Sequence, residues 1–447
     1  MLLDFVDLSS GSGAVYQRLY EQLAAAAYSG IIKKGERLPS IREAAASLGV
    51  SRTTVESAYL KLCIEGMAES SPYRGYYICS GSKPPRENAA EETAEPRVRY
   101  DFSGRKIDAA AAELNFWRRS VRQVLRDTSA LISYGDPQGE PELRRALAAY
   151  SYKARGVRTA PENIVIGAGI GPLLNILCGL TGRDRLVGME SGFEQAERIF
   201  SDYGINTFPL GCDLNGAKTD SLKKSGADIL FLLPSSLSKI SVTGLSARRG
   251  DFAEWAREDK RRLIIEDDYN GELRYTARSV SAFQGKCPES TVYIGSFSKL
   301  LLPSVRIAYM ALPDRLVPEF YARRGVYNQT CGKTEQIALR CYIESGELEK
   351  HLRKLRKLYY AKSRLFCRAA AEVFDNAEIT LYESSITAEL NLKTGAAADK
   401  IFAAAEKNGI RLKESGNGEK IRMCFAGIDD GDILPALKKL KESIEGL

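Results

Sequence analysis

Residues 80–99, SGSKPPRENAAEETAEPRVR, divide this chain. The stretch is rich in Pro, Glu, Ala and Arg and poor in large apolar side chains, so it has nothing with which to build a core. With 447 residues, the chain is also too long for one ordinary compact domain. Residues 1–79 and 100–447 are therefore expected to fold separately, joined by a linker that spans up to ~65 Å when extended.

Hydrophobic residues make up 44% of the chain and charged residues 27%, an ordinary globular balance. No apolar run reaches the ~18 residues that a membrane span needs. Asp4 and Asp7 stand where a signal peptide requires a basic start. A cytoplasmic protein with no membrane partner is expected. The nine cysteines occur singly, which points to free thiols. The only histidine, His351, lies in the charged helical run 347–357, which excludes a His-based metal site and a Ser-His-Asp triad. Acid–base chemistry falls to lysine, tyrosine and carboxylates. Net charge is +7, yet residues 1–82 carry eight Lys/Arg against eight Asp/Glu. Affinity of the N-terminal part for DNA must then come from the placement of charge, not its sum.

Placement is what residues 35–79 show. Ser40 and Glu43 form a capping box that opens a helix through residues 44–48, and Gly49 ends it. Ser51 caps a second helix, 52–65, with Val55, Tyr59 and Leu62 on its buried stripe. Two short helices around a glycine turn are either a plain helical hairpin or a helix-turn-helix. The first turn of the second helix offers Arg52, Thr53 and Thr54 to base edges and phosphates. Two extended stretches follow around Tyr73-Arg74-Gly75, as in a wing hairpin. Residues 16–78 resemble the GntR family of winged helix-turn-helix regulators, through LPSIRE, LGVSRTTV, AYLKL and EG. The resemblance implies double-stranded operator DNA as partner, with contacts from Arg42, Arg52, Thr53, Thr54 and the wing Gly75.

Beyond the linker, short β-rich runs at 163–166, 185–188, 227–233, 262–265 and 291–294 alternate with helical patterns such as 173–180 and 251–259. This rhythm predicts an α/β body with a mostly parallel sheet covered by helices. After about residue 335 the pattern turns helical, and a smaller α+β section closes the chain.

Two clusters carry chemistry. Ser296-Phe297-Ser298-Lys299 places a lysine after a strand and a hydroxyl-rich turn, with Arg306 beyond. Such a lysine can form a Schiff base, and Ser296, Ser298 and Arg306 can bind a phosphate. Read alone, it can equally be a solvated surface lysine. Glu266-Asp267-Asp268-Tyr269 places carboxylates at the end of an apolar strand, where ligands bind in α/β sheets. An Asp there can keep a pyridine nitrogen protonated, and Tyr269 can reach a phenolic oxygen. Equally, Asp267 and Asp268 can cap a helix.

Together with Tyr134-Gly-Asp-Pro-Gln-Gly-Glu-Pro-Glu-Leu-Arg144 and ARGV at 154–157, EDDY at 266–269 and GSFSKLLLPSVRIAY at 295–309 make residues 100–447 resemble the fold-type-I, class I/II aminotransferase-like body of MocR/GabR-type transcriptional regulators. The resemblance implies pyridoxal 5'-phosphate (PLP) as cofactor, with Lys299 as Schiff-base lysine, Asp267 at the pyridine nitrogen and Tyr269 at the phenolic oxygen. It places Arg306, with Ser296 and Ser298, at the phosphate, and Phe193 against the ring. It further implies a homodimer that reads two half-sites and an amine or amino-acid effector sensed at Lys299.

The chain departs from that family at three places. A phosphate turn of the type S-G-T-Q-Q is here Ala168-Gly-Ile-Gly-Pro172. A T-P-S-H-Q-F-P-T-G stretch is here Leu233-Pro-Ser-Ser-Leu-Ser-Lys-Ile-Ser241. The carboxylate arginine of a G-F-A-R pattern is Gly427, while Arg422 resembles the carboxylate arginine of ordinary class I aminotransferases and is the candidate effector ligand. Weak or no transaminase activity is expected. Two alternatives stand beside a PLP-dependent regulator: a working aminotransferase with an appended DNA-binding module, and a regulator whose body holds no cofactor.

Overall fold

The computed structural model describes residues 3, 5–8, 13–71, 74–79, 98–112, 115–190, 193–213, 216–233, 242–275, 281–375, 377–381, 386–392, 398–413 and 420–445. It divides into two units, Met1–Glu95 and Pro96–Leu447. Of the linker 80–99, only Val98 and Arg99 fall within the described residues. Among those residues, no helix is long and apolar enough to cross a membrane.

The first unit holds helices α1 (Val15–Tyr28), α2 (Ile41–Leu48) and α3 (Arg52–Ile64), then strands β1 (Ala68–Ser71) and β2 (Gly75–Ile78). The capping box at α2 is complete. Ser40 Oγ accepts from the Glu43 amide at 3.2 Å, and Glu43 Oε2 accepts from the Ser40 amide at 3.0 Å. Those two bonds make Ile41, Arg42 and Glu43 the first turn, so the helix begins three residues before the expected position 44. Gly49 closes it in the left-handed conformation at φ 66°, which costs glycine no Cβ strain. Ser51 caps α3 by accepting from the Thr54 amide at 3.1 Å. Leu19, Leu23, Ala44, Val55, Ala58, Tyr59 and Leu62 form the core of this small unit. Tyr59 is fully buried because its hydroxyl donates to the Pro39 carbonyl at 3.1 Å. β1 and β2 pair antiparallel from Ala68↔Ile78 to Ser71↔Gly75, a two-stranded wing. Tyr73, at its turn, lies outside the described residues.

The second unit is built on α4 (Pro141–Arg155), β3 (Ile164–Gly167), α5 (Ile170–Thr181), β4 (Leu186–Met189), α6 (Glu194–Asp202), β5 (Asn206–Pro209), β6 (Ile229–Leu232), α7 (Val242–Glu258), β7 (Leu263–Asp267), β8 (Thr291–Ser296) and β9 (Ala308–Ala311). The seven strands form one sheet in the order β3-β9-β8-β7-β6-β4-β5. Only β9 runs against its neighbours, pairing antiparallel with β8 and β3. The sheet is thus mostly parallel, as its β-rich runs predict. β3, β7 and β9 are buried along their whole length, as in a sheet covered by helices. Then come α8 (Lys333–Glu344), the long α9 (Glu347–Val373), β10 (Glu378–Leu381), β11 (Thr387–Asn391), α10 (Ala398–Lys407), β12 (Lys420–Cys424) and α11 (Ile433–Ile444). β10, β11 and β12 make the separate antiparallel sheet of the smaller section. The charged run on α9 is amphipathic: Leu348, His351, Leu352 and Leu355 face inward, while Lys350, Arg353, Lys354 and Lys357 stay exposed.

Removing the side-chain half of the α2 cap tests this account. Ser40→Ala should lower the stability of the first unit by about 0.5–2 kcal/mol. Faster hydrogen exchange at the amides of α2 and α3, with the second unit unchanged, is the expected reading. Unchanged exchange there would contradict the capping assignment.

Candidate functional site

The C-terminal ends of β7 and β8 lie side by side, with Asp267 opposite Ile294, so the acidic cluster and the lysine turn leave the sheet at one edge. Asp267 is the last residue of β7 and Asp268 follows it, so these carboxylates end a strand and do not cap a helix. Their fates differ. Asp268 accepts from Arg155 Nε at 2.7 Å and from the Tyr293 hydroxyl at 3.2 Å, both inside the body. Arg155 is the arginine of the ARGV stretch, at the end of α4. Asp267 has no hydrogen-bond partner among the described residues, although it is only 4% exposed. Burial and the neighbouring Asp268 charge push its carboxyl up to about 8.

Lys299 follows β8 through the turn Phe297-Ser298, where the Ser298 amide donates to Ser296 Oγ at 3.3 Å. Its Nζ donates to the Gly104 carbonyl. A Cβ built on Gly104 would sit 3.3 Å from Cys424 Sγ and 4.0 Å from Lys299 Nζ, so the lysine head and the end of β12 meet there. Tyr269 feels the charges of Asp267, Cys424 and Arg422, while burial drives its phenol well above the usual range. Asp267, Tyr269, Lys299 and Arg422 therefore share one site. Arg422 Nε lies 3.4 Å from Glu389 Oε2. Glu190, just beyond β4, also faces Arg422, and burial pushes its carboxyl up to about 7. Its Oε1 accepts from the Ala217 amide at 2.9 Å, while its buried Oε2 has no partner.

Arg306 is held at φ 50°, rare for a residue with a Cβ, between the Phe297–Ile307 backbone bond and the start of β9. That conformation sends its guanidinium to Gly169, the N-cap of α5. A Cβ on Gly169 would meet Arg306 Nη2 at 2.6 Å, so only glycine leaves room for this approach. Thr330 Oγ1 accepts from the Ala168 amide at 2.9 Å in the same turn. The open amides at the start of α5 and Arg306 form a cradle suited to an anion. Ala168-Gly-Ile-Gly-Pro172 thus offers backbone amides but no hydroxyl or amide side chain. Phe193 caps α6 and packs on Phe231 of β6, with ring centroids 5.7 Å apart. Residues 234–241 lie outside the described residues. Gly427, where the family pattern has arginine, would drive a Cβ to within 2.6 Å of Lys106.

In the first unit, Arg42 and Arg52 are exposed, with no side-chain partner among the described residues. The Thr53 and Thr54 hydroxyls instead lie 2.8 Å from Ser51 Oγ. They support the cap first, and Arg52 is the free reach of this turn. Gly75 opens β2 at φ 104°, with Arg37 Nε 3.2 Å from where a Cβ would stand. The residues that motif reading missed are Arg155, Glu190, Glu389 and the Gly169–Arg306 approach. The ARGV stretch was the one visible signal, and only for Arg155.

Residues 15–78 match the family model of bacterial regulatory proteins, gntR family, and residues 100–440 match that of aminotransferase class I and II. The HTH-type transcriptional regulator YdeL of Bacillus subtilis is 32% identical over 96% of this chain and 96% of its own length. The probable rhizopine catabolism regulatory protein MocR of Rhizobium meliloti is 29% identical over 79% of this chain and 76% of its own. The pyridoxine biosynthesis transcriptional regulator PdxR of Corynebacterium glutamicum is also 29% identical, over 76% of each chain. The crystal structure of Pyrococcus horikoshii kynurenine aminotransferase shares the fold at a TM-score of 0.70 with 20% identity, covering 79% of this chain and 92% of that one.

The unpartnered Asp267 makes a testable difference. An unfolded Asp ionises near its ordinary value of 3.8, whereas this one holds its proton to about 8. The folded state thus binds more protons between those limits, and its stability falls as pH rises through them. Asp267→Asn should raise the melting temperature of the cofactor-free protein by a few degrees at pH 7, and the gain should vanish toward pH 4. A gain that does not shrink on acidification would contradict a buried, protonated Asp267.

Proposed function

The chain belongs to the aminotransferase class I and II family, joined to a gntR-type head as in transcriptional regulators of the MocR and PdxR type, and from that premise we propose that it binds operator DNA through the head and answers to an amino compound at a PLP-bearing body. One observation carries the second half: a buried, unpartnered Asp267, Lys299 and the Arg306–Gly169 cradle lie around one edge of the sheet. The residues fit the cofactor part by part. Arg306 and the α5 amides take its phosphate, and the Gly169 cradle is the space a Cβ would fill. Asp267 would hold a proton at the pyridine nitrogen, whose positive charge would offset the hydration that the carboxyl lost on burial. Tyr269 would donate to the phenolic oxygen, Phe193 would cover the ring and Lys299 would supply the tethering amine. When bound, PLP acts as an electron sink for the amino compound joined to it. Arg422 receives a carboxylate of that compound and thereby competes with Glu389 for its own charge.

Residues supporting cofactor binding are present, while the arginine of the G-F-A-R pattern is replaced by a glycine packed against Lys106. This favours sensing over turnover. The soluble, cytoplasmic regulator acts as a homodimer in this reading, with two heads placed on two half-sites, and the effector changes their spacing.

Two variants separate the halves. Lys299→Ala should abolish the visible absorption of PLP-loaded protein and leave gel-shift binding of the operator intact; a retained band would contradict Lys299 as the tether. Arg52→Ala should weaken operator binding by about 1–3 kcal/mol, roughly tenfold or more, with the absorption band unchanged. Wild-type affinity in that variant would remove Arg52 from the interface.

A further inference from the structure

A second lysine enters the site from the smaller section. β11 pairs Glu389 with Arg422, and an antiparallel bridge pairs Arg422 with Lys413, whose amide donates to the Arg422 carbonyl at 3.1 Å. Directly paired residues project to the same face, so Glu389, Arg422 and Lys413 form one row. Cys424, two residues beyond Arg422, shares that face, and its Sγ lies against Gly104, whose carbonyl holds Lys299. The face that carries Arg422 and Lys413 is thus turned toward Lys299. The electrostatics agree: the Lys413 ammonium feels Cys424, Arg422 and Lys299, and burial first, then the two cations, lower its affinity for a proton.

Among the described residues, the charges around it do not balance. Glu389 already serves Arg422 at 3.4 Å and Lys420 at 3.0 Å. Glu190 and Asp267 are pushed up to about 7 and about 8, so neither supplies a full negative charge at neutral pH. Lys413 has no side-chain hydrogen bond or ion pair among the described residues. A largely buried ammonium beside two other cations is costly unless an anion arrives from outside.

We propose that Lys413 and Arg422 form a two-point receptor for an effector bearing two acidic groups, an amino dicarboxylate whose amine faces Lys299. This inference rests on the effector-sensing reading above and names its ligand class. Cross-strand neighbours stand about 5 Å apart at Cβ, a separation that two carboxylates on a short carbon chain can span. Arg422 takes one carboxylate and Lys413 the other. A monocarboxylate leaves Lys413 unmatched, so the site selects by charge.

Glutarate and butyrate, which lack the amine, isolate acid recognition from cofactor chemistry. Calorimetric titration of the PLP-saturated full-length protein at neutral pH should show glutarate binding at least about tenfold more tightly than butyrate. Lys413→Met should erase that preference, and Lys413→Arg should keep it. Equal affinities in the wild type, no glutarate binding, or an undiminished preference in Lys413→Met would each overturn the proposal. The visible band of the same samples reads the cofactor assignment separately. A band without acid preference sinks the receptor alone, and a preference without a band sinks the cofactor reading alone.

Discussion

The buried ion pair between Arg155 and Asp268 is the constraint on which the rest of the site depends. It ties the end of α4 to the end of β7 at 2.7 Å, with both side chains almost fully enclosed. Tyr293 donates to the same carboxylate, and Glu272, beyond it, accepts from the Tyr150 hydroxyl at 3.3 Å. Glu266, one residue before Asp267, accepts the Phe283 and Gln284 amides at 2.6 and 2.9 Å, with Arg249 3.9 Å away. Four acids thus crowd one strand end, and burial raises the pKa of Glu266 and Glu272 as well as Asp267. Losing one member of such a pair strands a charge at a cost of about 3–5 kcal/mol. The network pairs Asp268 with Arg155 and Tyr293, while Asp267 has no hydrogen-bond partner among the described residues.

Both units bring an arginine to the start of a helix. In the head, Ser51 and the two threonines behind it fix the first turn of α3, and Arg52 extends from it. In the body, Gly169 opens α5 so that Arg306 can approach its free amides. Oriented N–H groups plus one arginine bind phosphate wherever they occur. The difference lies in rigidity: the strained φ of Arg306 is enforced by the strands on either side, whereas Arg52 stands free at the surface.

Much of this was legible in the linear chain. The capping box, Gly49 and the wing are local features, decided by bonds between residues a few positions apart, and they stand where residues 35–79 put them. Only the start of α2 moved, because a cap at Ser40 makes the next three residues helical. Five of the seven strands were visible as apolar β-rich runs. The exposed parallel strand β5 and the buried antiparallel β9 were not, since β5 lacks an apolar run and composition does not report strand direction. Nor could a run of two aspartates say which is paired, because successive residues on a strand point to opposite sides.

By itself the sequence determined the division into two units, the helix-turn-helix with its wing, the rhythm of the sheet and the lysine and acidic turns at its edge. Those follow from short-range hydrogen bonding, from side-chain periodicity and from a resemblance carried by contiguous motifs. Only the tertiary structure decided which charges neutralise one another. Arg155 reaches Asp268, Arg306 reaches Gly169, and Lys413 stands beside Arg422 with no acid partner among the described residues. Those partners are separated in the chain, and a charge in a low-dielectric interior is governed by what the fold brings near it.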